Sequence, residues 1–197
     1  MLAKVDPQHR EFLMRELASL RLTVQGAPLR EHFERLVAGT CAPGPVEAHC
    51  SRPGQLYFMQ PRHGAVAVTF PVRFSSPFDA CTGRAFLHEF AEARREPVLG
   101  RAPSCSYSQQ PPAELQGVDP STLADVNGGY VSFTFNERHV HGPQMPHVVW
   151  SMCSFYFLIS CHLKACKAAM NAKMRSSMDA MCTELRSHRV PWEATQL

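Results

Sequence analysis

The strongest constraint on the fold is a long stretch near the C-terminus that holds neither proline nor glycine. After Pro143 and Pro146 neither residue recurs until Pro191. Proline fits the first turn of a helix but breaks its interior, so the spacing predicts one helix from Met145 to Arg189. Such a helix has about 45 residues and a length of roughly 68 Å, more than the width of a domain this size. The apolar positions Met152, Tyr156, Ile159, Leu163, Met170, Met174, Met181 and Leu185 recur at three, four or seven residues and hold one face throughout. From Val148 to Ile159 the segment is apolar nearly all round, which predicts packing on both sides. Beyond it the pattern is amphipathic, and the other face carries Lys164, Lys167, Arg175, Arg186 and Arg189 within roughly a 100° sector. The helix is therefore expected to start inside a core and end beyond it, and its overhanging apolar seam requires cover from another chain.

The remaining composition narrows the class. A chain of 197 residues with 45% hydrophobic and 19% charged residues is an ordinary globular domain, large enough to bury a core. A net charge of +3 matters less than its location, which is largely the final helix. Cys41, Cys50, Cys81, Cys105, Cys153, Cys161, Cys166 and Cys182 form no CxxC pair and no regular framework. Together with an N-terminus that lacks a basic-then-apolar leader, they read as free thiols of a reducing, cytosolic compartment. The most apolar run, Val148 to Cys161, reads as too short for a membrane span.

In chain order, Pro7 to Val24 predicts an amphipathic helix with Asp6 as N-cap and Phe12, Leu13, Leu17 and Leu20 on one face. Gly26 to Pro28 is expected to break it, and Leu29 to Val37 to resume with Phe33, Leu36 and Val37 inward. The Pro, Gly and Cys rich stretch from Gly39 to Gly54 reads as loop. From Gln55 the period changes to two, and the runs around Leu56 to Met59 and Ala65 to Phe74, separated by Arg62, His63 and Gly64, predict a hairpin. Further extended runs are Arg84 to Glu92 and Ser104 to Ser108, although propensity alone equally allows a helix over Ala85 to Arg95. The clearest strand is Tyr130 to Phe135, where Val131, Phe133 and Phe135 alternate with Ser132 and Thr134. Helix, about five antiparallel strands and a long helix imply a two-layer α+β domain, with helices covering one face of the sheet. The expected divisions are a helical segment at 1–38, a loop at 39–54, an antiparallel sheet at 55–136, and the long helix with its tail at 137–197.

No constellation of residues points to catalysis. His139, His141 and His147 lack a carboxylate or cysteine at ligand spacing and read as solvated. Cys161 and Cys166, five apart on a helix, diverge by about 140° and cannot easily grip one ion. No phosphate loop, dinucleotide fingerprint or GxSxG turn occurs, and Asp119 and Asp125 lack calcium-site spacing. The basic helix face is either a solubilising surface or a ligand surface. As a ligand surface it suits an acidic protein better than nucleic acid, which brings higher net charge and exposed aromatics. The methionines on the apolar face suit a partner helix.

Several runs carry a resemblance. Gly129-Tyr130-Val131-Ser132-Phe133 with Arg138-His139, then Lys164-Ala165-Cys166-Lys167-Ala168 and Lys173-Met174-Arg175, resemble the C-terminal half of subunit 2 of the actin-related protein 2/3 (Arp2/3) complex. Gly83-Arg84-Ala85-Phe86-Leu87-His88-Glu89-Phe90 with Arg94-Arg95, and Pro111-Pro112-Ala113-Glu114-Leu115, follow the same family in the same order over roughly residues 25–189. The resemblance implies a strand at Arg84 to Glu92. It implies a non-enzymatic scaffold in the cytoplasmic actin cytoskeleton, without cofactor, metal, membrane or nucleic acid, supporting filament nucleation and branching. It also implies that the long helix packs against the matching helix of subunit 4 through Tyr156, Ile159, Leu163, Met170, Met174, Met181 and Leu185. Lys164, Lys167, Lys173, Arg175, Arg186 and Arg189 match basic positions that would face the mother filament. The family has two related α/β domains and a polar tail; this chain is expected to hold only the second domain, from the helix at residue 7, and little of the tail. The alternative from another class is a nucleic-acid-binding protein using the same basic face.

Overall fold

The structure is a computed structural model that describes residues 6–52, 55–94 and 96–187. Helix α1 spans Pro7–Val37, with Pro7 in its first turn and Asp6 at the N-cap, although the Asp6 side chain makes no cap bond. The expected break at Gly26 to Pro28 does not occur. A Cβ on Gly26 would lie 2.5 Å from the Val149 side chain, so this glycine permits close helix packing instead of ending the helix. Leu29, Phe33 and Leu36 are buried and hold the helix through Pro28. Its first half buries nothing comparable: Phe12, Leu13, Leu17, Leu20 and Val24 are all exposed.

Five antiparallel strands follow the order β1-β2-β3-β5-β4, with β1 at Glu47–Arg52, β2 at Gln55–Arg62, β3 at Ala65–Val72, β4 at Ser104–Ser108 and β5 at Gly129–Phe135. The β2–β3 hairpin turns at Gly64, whose φ of 63° suits a residue without a Cβ. Register places Met59 opposite Val68 and Val68 opposite Phe133, all on the helix-covered face. Thr69 and Ser132 are cross-strand partners on the other face, and their hydroxyls share a buried hydrogen bond of 2.9 Å. On that face Phe58, Leu115 and Tyr130 form a smaller cluster covered by Val118, Leu123 and Val126, from a segment that includes the short helix α3, Pro120–Leu123.

Two further expectations from sequence, both about strands, are corrected. Strand β1 lies in the stretch read as loop: it is a polar edge strand, Glu-Ala-His-Cys-Ser-Arg, paired on one side only, and shows no apolar alternation. The stretch Arg84 to Glu92 is not a strand but part of helix α2, Pro77–Ala93. Ser76 caps α2 by accepting the Asp79 amide at 3.1 Å, Pro77 occupies its first turn, and Ala80, Gly83, Leu87 and Ala91 are buried at helical spacing. A Cβ at Gly83 would meet the Phe74 ring at 2.3 Å, so α2 is seated by a small residue.

A short helix α4, Glu137–Val140, leads to α5, Gln144–Ser187, a helix of 44 residues. The chain divides into two compact units, the first ending at Phe157 and the second beginning at Leu158, so α5 contributes to both. Within the first unit Val149, Met152 and Phe155 are buried, and the Phe155 ring lies 4.6 Å from Phe70 and 5.3 Å from Phe133. Packing on both sides is not observed, because Trp150 and Phe157 are exposed. By length and composition alone α5 is apolar enough to cross a membrane, in contrast to the reading of Val148 to Cys161 as too short. Its first turns are instead committed to the sheet.

Candidate functional site

The sequence-derived seam divides into two parts. Tyr156 is held inside its own unit. Its hydroxyl lies 2.5 Å from the Leu56 carbonyl and 2.7 Å from the Pro71 carbonyl, sharing one proton between them. The β2–β3 ladder stops at Phe58 and Thr69, just before these carbonyls, so the phenol donates where a strand amide would otherwise do so. Burial pushes its pKa well above the usual tyrosine range, keeping it a donor at all ordinary pH. Ile159 and Leu163 are also buried.

The rest of the seam is open. Met170 is 44% exposed, Met174 61%, Met181 59% and Leu185 65%, and Met178, which the sequence reading missed, is 62% exposed. These five residues are spaced 4, 4, 3 and 4 apart and fall within roughly 80° of one another at about 100° per residue. By the same spacing they continue the line of Met152, Tyr156 and Leu163. Met178 was legible in the sequence, since apolar residues at intervals of three and four keep to one face of a helix.

Charged residues flank this stripe. By helical spacing Lys164, Arg175 and Arg186 stand about 100° from its centre on one side, and Lys173 about 100° on the other. All four are exposed. Lys167 is half-buried and falls in line with the stripe, one turn before Met170. Arg189 lies outside the described residues. From Leu158 to Ser187 the helix carries five cations against two carboxylates, Asp179 and Glu184.

The histidines and cysteines behave differently. Among the described residues no group of three His, Cys, Asp or Glu is assembled to hold a metal. His139 is buried and accepts the Asn136 amide on Nδ1 at 3.0 Å; burial, with Arg138 and Arg94 nearby, lowers its pKa. His141 and His147 are exposed. His32 is buried beneath Glu47, with its Nε2 3.1 Å from the carboxylate, and this hydrogen bond is the main cause that lowers the Glu47 pKa. Burial raises the Cys105 thiol to about 12, which makes it inert rather than nucleophilic.

The family described as Arp2/3 complex, 34 kD subunit p34-Arc, matches residues 2–190. Actin-related protein 2/3 complex subunit 2A of Arabidopsis thaliana is 38% identical over 196 residues, covering 98% of this chain and 60% of that protein. Subunit 2 of the same complex from Dictyostelium discoideum is 26% identical over 174 residues, covering 88% of this chain and 58% of the relative. The Schizosaccharomyces pombe subunit 2 is 33% identical over 116 residues, covering 58% of this chain and 36% of the relative. The chain thus spans at most about 60% of the length of these relatives. With an α+β sheet domain and a long C-terminal helix in place, and a family match across nearly all of its length, the chain belongs to the p34-Arc family of Arp2/3 complex subunits.

Proposed function

We propose that this chain is a structural scaffold subunit of the Arp2/3 complex in the cytoplasmic actin cytoskeleton, working by presenting a helix rather than by chemistry. The observation that carries this reading is the exposed stripe Met170, Met174, Met178, Met181 and Leu185. Burying such a side chain contributes roughly 1–1.5 kcal/mol from its present exposure, so five together offset much of the entropy lost on association. Methionine suits this task because its unbranched chain adapts to an opposing surface. The occupant is the corresponding helix of subunit 4, with Tyr156, Ile159 and Leu163 setting the start of the seam and the exposed residues providing its contact.

The flanking cations face the side of an actin filament, an acidic surface, and so support nucleation and branching from it. Long-range attraction of this kind speeds encounter and weakens as salt screens it. Charge reversal at Lys164, Arg175 and Arg186 in the assembled complex is expected to lower filament co-sedimentation several-fold while leaving assembly intact. Unchanged co-sedimentation at low salt would remove the filament from this surface.

A further inference from the structure

A cavity of about 330 Å³ opens in the first unit between α2, the segment 99–103, strand β5 and the first turns of α5. Its walls are aromatic and aliphatic: Phe90, Leu99, Phe133, Phe135 and Met152. Phe90 is 39% exposed and Leu99 41%, so apolar surface is left open at the cavity instead of being packed away. Well-packed interiors leave few voids larger than a water molecule, whereas clefts that hold small ligands begin near this volume.

One wall carries a positive charge. The Arg94 guanidinium is fixed by donating from Nε to the Pro103 carbonyl at 2.7 Å and from Nη2 to the Ala102 carbonyl at 2.6 Å. Backbone carbonyls satisfy one edge of the group but supply no counter-charge, and among the described residues that line the cavity there is no carboxylate. The charge reaches the Cys105 wall of the cavity, where it opposes the upward shift of the thiol. A ligand that fills the aromatic space and brings one negative charge satisfies both features, whereas a neutral chain leaves the cation without a counter-ion as it excludes water.

We propose that this cavity is a binding site for a small anionic amphiphile, a single alkyl or aryl chain ending in a carboxylate, with the chain among Phe90, Phe133 and Met152 and the carboxylate on Arg94. The site shares no residue with the exposed α5 stripe and does not depend on the scaffold role.

The test uses sodium decanoate and uncharged decanol below their aggregation concentrations, with the full chain labelled on its methionine methyl groups. Decanoate is expected to shift the Met152 methyl signal and leave Met170, Met174, Met178 and Met181 unmoved, and to bind about tenfold more tightly than decanol. Ser151→Trp, on an accessible turn of α5 at the cavity wall, fills the space and abolishes the Met152 response to both probes. Arg94→Gln, with folding checked by thermal unfolding, brings decanoate down to the affinity of decanol; if that variant does not fold, the ratio of the two probes in the unaltered chain still reads the charge. Equal affinity for decanoate and decanol, a Met152 response that survives Ser151→Trp, or shifts confined to the α5 stripe would each overturn the proposal. Failure of both probes to bind would overturn it too, leaving the cavity to an apolar side chain of a partner.

Discussion

Replacing Tyr156 with phenylalanine separates two roles that the sequence alone had merged. The substitution removes one hydroxyl and no carbon, so it opens no cavity, and Phe155 remains in place against Phe70 and Phe133. What is lost is the proton shared by the Leu56 and Pro71 carbonyls. A buried neutral hydrogen bond contributes about 1 kcal/mol net, and stranding a buried acceptor adds about 1 kcal/mol or more. Tyr156→Phe is therefore expected to cost about 2 kcal/mol or more, or roughly 4–8 °C in Tm for a chain of this size. Urea and thermal unfolding measure the loss, and titration of the partner subunit measures association in parallel. The structure predicts a clear loss of stability and less than a twofold change in partner affinity. An unchanged Tm with a tenfold loss of affinity would refute the reasoning and return Tyr156 to the interface.

Two further substitutions probe the fold, and one its pH dependence. Gly83→Val is expected to cost about 1–3 kcal/mol in chemical denaturation, because the added Cβ would meet the Phe74 ring at 2.3 Å; in a strand the same change would be neutral or favourable. Glu47→Gln is expected to cost less than about 1 kcal/mol at pH 7, since the carboxylate is partly exposed. The Glu47 pKa is lowered in the fold, chiefly by the His32 hydrogen bond, so its contribution is present above its ordinary value of 4.5 and is lost as pH falls through the folded value. The gap between the unaltered chain and Glu47→Gln in Tm measured from pH 7 down to pH 3 should accordingly close below about pH 4.5; a gap that is still fully open at pH 3 would contradict the His32–Glu47 pairing.

How much of this was legible in the residues depended on where each signal came from. The β2–β3 hairpin and β5 were plain because one face of each strand is buried, so alternation survives in the sequence. The long helix was plain because proline and glycine are excluded from it after Pro146 in its first turn. Helix α2 is hard to read although its start is written locally, in Ser76, Pro77 and Asp79, and its buried stripe Ala80, Gly83, Leu87 and Ala91 is helical; three of these four residues are alanine or glycine and carry little hydrophobic signal. Strand β1 was lost because an edge strand held on one side by backbone pairing needs no apolar alternation. The continuity of α1 depended on Gly26 meeting Val149, a contact 123 residues away that no local rule contains. For the candidate surface, periodicity marks an apolar line along the helix, but only the fold shows that Tyr156 is bound to the sheet while Met170, Met174, Met178, Met181 and Leu185 are exposed.

The exposed stripe of α5 is the centre of the functional proposal, and it is tested most directly by co-expressing this chain with subunit 4 of the complex and measuring mass by size-exclusion chromatography with light scattering. The expected result is a one-to-one assembly that falls apart, by at least tenfold in affinity, when Met174 and Met178 are both changed to aspartate, with the Tm of the chain alone nearly unchanged because both side chains are exposed. A chain that remains a monomer beside subunit 4, or an assembly indifferent to both aspartates, would contradict it.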